Sequence, residues 1–248
     1  MKISIITVVY NAHTTISDTL RSVRQQDYFD VEHILVDGNS NDGTQAIIQS
    51  QMQHIAHYVS EPDEGIYHAM NKGIAMATGD VIGILNADDV YQDTGILSQV
   101  AEVLANKDID ACYADLVYVK SDDLTKVVRH WRSQNHYPGL SFRGWMPAHP
   151  TLFLRREVYQ QTGGFDTQLK YQADLEFCAR VFEVHKINSV YIPKLWVRMR
   201  LGGATNNSLL NMLKGNWESY LALRKLGLKR NVFNYFVIKF ASRLKQYF

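Results

Sequence analysis

Over its first 90 residues the chain alternates short apolar, β-branched runs with segments of helical periodicity, a pattern few folds accept. Residues 3–9 form a run that suits a central strand covered on both faces. Tyr10-Asn11-Ala12 interrupts it. Thr15 with Asp18 then resembles a capping box, and Ile16, Leu20 and Val23 recur at helical spacing. Residues 31–36 read as a second strand, and the polar stretch 37–44 leads into a helix carrying Ile47, Ile48 and Met52. Residues 57–60 form a short third strand, Ile66, Met70, Ile74 and Ala77 mark the next helix, and residues 81–85 return as a fourth strand. Repeated strand–helix–strand units of this kind require right-handed crossovers and a largely parallel sheet. The expected fold is therefore α/β, a Rossmann-like, mostly parallel sheet flanked by helices.

The Gly- and Asp-rich loops all follow strands, while the returning loops are plain. In open α/β sheets the binding crevice lies beyond the carboxyl ends of the strands. The most informative stretch is Val81-Ile-Gly-Ile-Leu-Asn86-Ala-Asp88-Asp89, a buried strand ending in two adjacent carboxylates. Two such groups can share a hard divalent cation that in turn holds a diphosphate. The same pair also suits a turn and the first turn of a helix. Asp37 can accept a hydrogen bond from a base N–H such as uracil N3, or cap its own glycine-containing turn. The chain has no Gly-x-Gly and no Gly-Lys-Ser/Thr, which removes the dinucleotide fingerprint and the P-loop. Phosphates must be handled another way, and a metal at Asp88 and Asp89 supplies it.

Leu97, Val100, Val103 and Leu104 form another helix, and residues 111–119 and 126–131 read as a strand pair around Ser121-Asp-Asp123. Past Pro138 the chain is irregular until residues 151–154. A helix beginning near Ala173 turns Leu175, Ala179 and Phe182 inward, and residues 190–192 form a further strand. Without internal repeats or a flexible linker, one domain over residues 1–205 and a helical extension over 206–248 is the expected organisation.

The composition, 46% hydrophobic and 21% charged, is that of a soluble globular protein, and no run approaches the roughly 18 apolar residues a membrane span needs. The amino terminus is too short for a signal peptide, and Cys112 and Cys178 sit isolated in apolar settings. A disulfide framework or zinc site is therefore not expected, and a cytoplasmic location is.

The ordered set Thr7-Val-Val-Tyr10-Asn11, Val36-Asp37-Gly-Asn-Ser40-Asn-Asp42-Gly43-Thr44, Glu61-Pro-Asp63-x-Gly65-Ile-Tyr67-x-Ala-Met-Asn71-Lys72-Gly73 and Asn86-Ala-Asp88-Asp89 resembles the inverting glycosyltransferases of family 2, with the GT-A fold. The resemblance continues through Ala148-His149-Pro150, Gly163-Gly164-Phe165-Asp166 and Ala173-Asp174-Leu-Glu176, covering roughly residues 1–205. Within that family the chain is most similar to bacterial enzymes that build capsular, exopolysaccharide or lipopolysaccharide repeat units. The resemblance implies that Val8 and Tyr10 lie against the base and Asp37 binds its edge. It also implies that Asp63 and Lys72 help hold nucleoside and diphosphate, Asp88 contacts ribose or metal, and Asp89 ligates Mg²⁺ or Mn²⁺. It further implies that Asp174 is the general base, with Glu176 a weaker candidate.

The chain departs from the family pattern in two places. Asn86 replaces a frequent Asp, and Ala173 replaces the Glu that commonly precedes the base. A helix N-terminal acid stabilising the dipole is the plainer role for Asp174. The expected partners are a nucleotide sugar, a UDP-sugar first, and a glycan or lipid-linked oligosaccharide acceptor; no nucleic acid is expected. His149 would line the acceptor pocket, Gly163-Gly164 would form a turn, and Arg198, Arg200 and loop 201–207 would close over the diphosphate. No Gln-x-x-Arg-Trp occurs, so one sugar per encounter is expected.

Two other readings compete. A nucleotidyltransferase would need a Gly-rich basic loop early in the chain, and Asn11-Ala-His-Thr-Thr15 offers neither glycine nor Lys/Arg. A catalytically degenerate binder or scaffold is countered by Asp37, Asp88, Asp89 and Asp174, and left open by Asn86 and Ala173.

From Lys214 onward eight Lys/Arg face Glu218 alone, against 18 basic and 24 acidic side chains before it. Phe236, Val237, Phe240, Leu244, Tyr247 and Phe248 cluster on one helical face. A helix over residues 231–248 could lie peripherally on a membrane, pack on the domain or form a subunit contact in an oligomer.

Overall fold

The computed structural model describes residues 1–202, 209–229 and 231–244, with side chains as far as 202 and over 214–229 and 231–238. Four strands lie parallel at one side of the sheet in the order β3 (His57–Ser60), β2 (Val31–Asp37), β1 (Ile3–Val9) and β4 (Val81–Ile84). Between them run helices α1 (Ile16–Arg24), α2 (Thr44–Gln49) and α3 (Ile66–Met76). Every residue of β1 is buried, because both faces of the sheet are covered. Successive side chains point to opposite faces, so Ile6 and Val8 pack with Met70 of α3 while Ile3 and Ile5 face Val23 of α1.

Two polar residues inside β1 are satisfied by its neighbour β2. Ser4 Oγ donates to Glu32 at 2.5 Å, and Thr7 Oγ1 lies 3.0 Å from His33 Nε2. Lys2 Nζ and Thr78 complete the shell of hydrogen bonds around the buried Glu32 carboxylate.

Beyond β4 the sheet becomes mixed. Antiparallel β8 (Phe153–Arg155) follows β4, then β6 (Ala111–Lys120), β9 (Ser189–Arg200) and β5 (Val90–Tyr91), with β7 (Asp123–Trp131) hairpinned onto β6. β6 and β9 run parallel and β9 and β5 antiparallel. α4 (Ile96–Leu104), α5 (Arg156–Thr162) and α6 (Ala173–Ala179) flank this half. Trp196 and Phe153 meet edge-on in its core, where Cys112 is buried; Cys178 lies buried in the core on the α3 side.

Several expectations change. β9 is much longer than residues 190–192. Pro193 donates no backbone N–H, and the pairing with β6 slips between Tyr113 and Asp115, which disguises one strand as two. α5 and the two-residue β5 have no counterpart in the sequence reading. The helix expected to reach Met52 ends at Gln49 and resumes as one 3₁₀ turn. Thr15 caps α1 without a side-chain hydrogen bond, so no capping box forms, and Asp18 pairs with Arg200 instead.

In the extension, α7 (Leu209–Lys225) and α8 (Val232–Leu244) fold back on the domain. Tyr220, Leu223, Leu228 and Tyr235 form a core with Leu175 and Ala179 of α6. The apolar face expected of α8 is therefore rotated: Tyr235 is buried, whereas Phe233 and Val237 face outward. Tyr247 and Phe248, and the side chains of Phe240 and Leu244, lie outside the described residues. No helix among the described residues is long and apolar enough to cross a membrane.

Candidate active site

The carboxyl ends of β1 to β4 converge on one edge of the sheet. There, loop 37–44 is locked onto the end of β1. Asn11 takes a positive φ of 48°, its N–H donates to Ser40 Oγ at 2.8 Å, and its side-chain oxygen accepts from Asn41 N at 3.0 Å. Asp37 is fully buried beneath. Its carboxylate accepts from the Ser40 N–H and hydroxyl and, at 2.6 Å, from Ser60 Oγ. Asp37 thus ties the ends of β2 and β3 together.

Above it, the ring of Tyr10 and the carboxylate of Asp63 flank Gly38. A Cβ there would sit 2.8 Å from Asp63 Oδ2 and 3.3 Å from the ring. Three residues from three loops thus form one notch, with Tyr10 67% exposed. Val8 is buried in the core below, and Lys72 stands at the margin, paired with Glu61 at 2.7 Å.

The loop after β4 presents Asp88 partly exposed and buries Asp89 completely. Arg200, at the end of β9, donates to the Asp88 carbonyl at 2.8 Å and to Asp18 Oδ2 at 2.6 Å, and Thr19 Oγ1 donates to the Asp89 carbonyl at 2.8 Å. Arg200 therefore pins the acidic loop from below rather than hanging over the site. Arg198 is drawn aside to the Leu124 carbonyl, and residues 203–207 of the expected closing loop lie outside the described residues. Burial raises the Asp88 carboxyl above its ordinary range, and burial with the neighbouring Asp88 charge raises Asp89 further.

Two buried oxygens here, Asn86 Oδ1 and Asp89 Oδ1, have no hydrogen-bond partner. Buried acceptors without donors are uncommon, and a pair beside a partly exposed carboxylate suits a hard cation. Among the described residues no cluster of three or more His, Cys, Asp or Glu could hold a metal by itself. Mg²⁺ sites in general use one or two carboxylates and share the ion with phosphate oxygens.

Asp174 enters from the second half of the chain, on the first turn of α6. Its Oδ1 accepts from Tyr67 Oη at 3.3 Å and from Leu175 N at 2.9 Å, and its Oδ2 lies 3.8 Å from His149 Nδ1. Burial lowers the His149 pKa and Asp174 only partly offsets it, so the ring is neutral at neutral pH. Burial also raises the pKa of the Tyr118 phenol, with the Arg129 guanidinium over its ring opposing the shift.

Glu176, the weaker base candidate, is fully engaged elsewhere. It pairs with Arg180 through both oxygens at 2.9 and 3.0 Å, and Arg180 binds the carbonyls of Thr162 and Gly164. Gly163 ends α5 with a positive φ of 79°, and Gly164 follows in a bend anchored by Asn71. A Cβ at Gly164 would run into the Asn71 amide, which exchanges two 2.8 Å hydrogen bonds with the Phe165 backbone. Tyr67 and Asn71 both lay inside a motif already noted, but their partners are about a hundred residues away, beyond any periodicity.

A notch at the ends of β1 to β3, an acidic loop after β4 and a carboxylate supplied from the sheet's far half together define a GT-A type transferase fold. The chain belongs to glycosyltransferase family 2, whose family model, "Glycosyl transferase family 2", matches residues 4–165. It is therefore a transferase. It is 30% identical over 184 residues to an uncharacterised glycosyltransferase of Mycobacterium tuberculosis, covering 72% of this chain and 68% of that one. It is 26% identical over 212 residues to a PGL/p-HBAD biosynthesis glycosyltransferase of Mycobacterium bovis, covering 84% and 80%.

In fold it is similar to residues 1–349 of S. aureus TarS in complex with UDP-GlcNAc, with TM-score 0.72, 16% identity and coverage of 96% of this chain and 70% of that one. It is also similar to the mannosyltransferase PcManGT of Pyrobaculum calidifontis in complex with GDP-Man and Mn²⁺, with TM-score 0.60, 16% identity and coverage of 98% and 80%. Against the longer TarS chain it spans 42% of the length.

Proposed function

We propose that the protein is an inverting, metal-dependent enzyme that moves one sugar from a nucleotide donor, a UDP-sugar first, to a hydroxyl of a lipid-linked glycan. The observation that carries this reading is the acidic loop after β4, where the buried oxygens Asn86 Oδ1 and Asp89 Oδ1 have no hydrogen-bond partner beside the partly exposed Asp88. In the proposed reaction the acceptor oxygen attacks the anomeric carbon as its proton passes to Asp174, and the bond to the diphosphate breaks with both electrons leaving on phosphate. In-line attack inverts the anomeric centre.

Tyr10, Gly38 and Asp63 would receive the base and nucleoside, over a floor held by Val8 and Asp37. Asp88 and Asp89, with Asn86, would hold Mg²⁺ or Mn²⁺, and Lys72 would exchange Glu61 for phosphate. When bound, the cation would stabilise charge on the departing diphosphate. His149 Nδ1, buried and without a hydrogen bond, would meet the acceptor.

The choice of UDP is supported by a TarS structure with UDP-GlcNAc, and that of Mn²⁺ by PcManGT with GDP-Man and Mn²⁺. A thermal-shift panel of UDP-, GDP- and dTDP-sugars with and without Mn²⁺ tests both, since a ligand of the native state raises its apparent stability. A cation-independent response, or a preference for GDP, would overturn the corresponding part.

Membrane attachment is supported by exposed Phe233 and Val237 on α8 and Trp217 and Leu221 on α7, set in a basic segment. A Phe233→Glu, Val237→Glu double variant of the full chain is expected to lose sedimentation with anionic liposomes. Unchanged sedimentation removes the claim.

A further inference from the structure

Glu218 is the single acid in the basic extension, and it points inward rather than toward solvent cations. Its carboxylate accepts three consecutive backbone N–H groups: Lys170 at 2.7 Å on one oxygen, and Tyr171 at 2.7 Å and Gln172 at 3.0 Å on the other. Hydrogen bonds to an ionised acceptor are roughly twice as strong as neutral ones. Residue 172 is the N-cap of α6, and Gln172 makes no side-chain cap bond. Its side-chain oxygen instead accepts from Ser219 Oγ at 3.1 Å. One turn earlier on α7, Gly215 lets the two elements touch, since a Cβ there would sit 3.2 Å from Tyr171 Cβ. The path of residues 170–172 thus follows α7, and Asp174 lies two residues beyond it.

We propose that Glu218 is a positioning residue for the reaction. By fixing the backbone entering α6 it sets where Asp174 stands against Tyr67 and His149. Glu218 touches neither donor nor acceptor. This inference rests on the assignment of Asp174 as the base. It makes the extension part of the active site, so the role of α7 is separate from any membrane contact of α8. A small displacement is enough to matter, because misplacing a reacting group by about 1 Å can cost about 10²-fold in rate.

The full-length chain is tested as wild type, Glu218→Gln, Gly215→Ala and Asp174→Asn, with the nucleotide sugar that the wild type turns over fastest. Glu218→Gln keeps the shape but presents an amide NH₂ to a backbone N–H. Gly215→Ala pushes the same loop while leaving Glu218 intact. Both are expected to lower kcat by about tenfold or more, with the KM for the donor and the melting temperature nearly unchanged. Hydrogen exchange at the amides of residues 170–172 is expected to be slow in the wild type and fast in Glu218→Gln. Full kcat in both variants, or equally fast exchange of those amides in the wild type, overturns the role of Glu218. Full kcat in Asp174→Asn instead overturns the base assignment, so the two failures are told apart.

Discussion

The Tyr67 hydroxyl donates to Asp174 Oδ1 at 3.3 Å, joining a helix of the parallel half-sheet to one 107 residues further along the chain. That link orients a carboxylate whose second oxygen is left facing neutral His149. Asp174→Asn is expected to reduce turnover by about 10²–10⁴-fold with nucleotide affinity retained, since general-base catalysis is worth about that much. Tyr67→Phe removes only the orienting bond, and a loss below about tenfold is expected from the scale of such misplacements. Steady-state kinetics with parallel nucleotide titrations measures both, and a loss of affinity matching the loss of rate would count against the assignment.

Glu176 stands two residues from Asp174 and behaves oppositely. Its bidentate contact with Arg180 is nearly buried, and Arg180 in turn binds the Gly164 carbonyl. Removing one member of such a pair typically costs about 3–5 kcal/mol. Glu176→Ala is therefore expected to lower stability by about that amount in urea unfolding, while the folded fraction keeps its turnover within a few-fold. A stable but inactive variant would return Glu176 to the chemistry.

The contrast shows what the sequence makes legible. Arg180 lies four residues after Glu176, a spacing that joins side chains on any helix, so the pair could have been read directly. The parallel half-sheet was legible because β1 and β4 are short, largely apolar runs and the strands alternate with segments of helical periodicity. β9 was not, because Pro193 interrupts its pattern and only pairing with β6 carries the strand through. Asp88, Asp89 and Asp37 stand out as acids at strand ends, yet nothing local says that Asp89 and Asp37 are buried while Asp88 stays partly exposed. That distinction comes from Arg200, Thr19 and Ser60, each brought in by another strand or helix. Glu218 was visible as a lone acid among bases, but its partners are main-chain groups and carry no residue signature.

Burial raises the Asp88 carboxyl, and Asp89 more so. Each must be ionised to bind a cation, so a raised pKa moves the loss of binding to higher pH than ordinary carboxylates would give. Mn²⁺-dependent nucleotide binding is expected to weaken on mild acidification, and both Asp88→Asn and chelation by EDTA are expected to abolish the Mn²⁺-dependent part of the thermal shift. Calorimetric titration across the acid range reads this directly. Affinity that stays flat with pH would argue against coordination by these two groups.

Gly38 tests the base notch without removing a charged group. A Cβ there would lie 2.8 Å from Asp63 Oδ2 and 3.3 Å from the Tyr10 ring, so one of the two must move. Overpacking of this kind costs about 1–3 kcal/mol. Because Tyr10 is exposed, the strain is expected to fall on the notch rather than the core. Gly38→Ala should weaken nucleoside diphosphate binding by about tenfold or more, on that scale of cost, with unfolding hardly altered. Unchanged binding would place the base elsewhere.

The opposite edge of the sheet sets the protein's acid stability through two neighbours on β2. Burial by itself would raise the Glu32 pKa, but hydrogen bonds from Lys2, Ser4 and Thr78 outweigh it and hold the carboxyl at about 2, against an ordinary 4.5. Glu32 therefore contributes stability above about 4.5 that is lost as pH falls toward about 2. Burial lowers His33 from 6.5 to about 3, so the unfolded chain takes up this proton first and stability declines from about 6.5 downward. Both effects run in the same direction, and the fall should steepen below about 4.5, where they overlap. Glu32→Gln is expected to cost about 1.5–3 kcal/mol at neutral pH, the scale of losing a hydrogen bond to a charged group. The gap from wild type should close steadily through the acid range as the native carboxylate is protonated. Urea unfolding at a series of pH values checks the sign. If the two stability curves stayed parallel down to about 2, Glu32 would not be titrating as the buried, bonded carboxylate seen here.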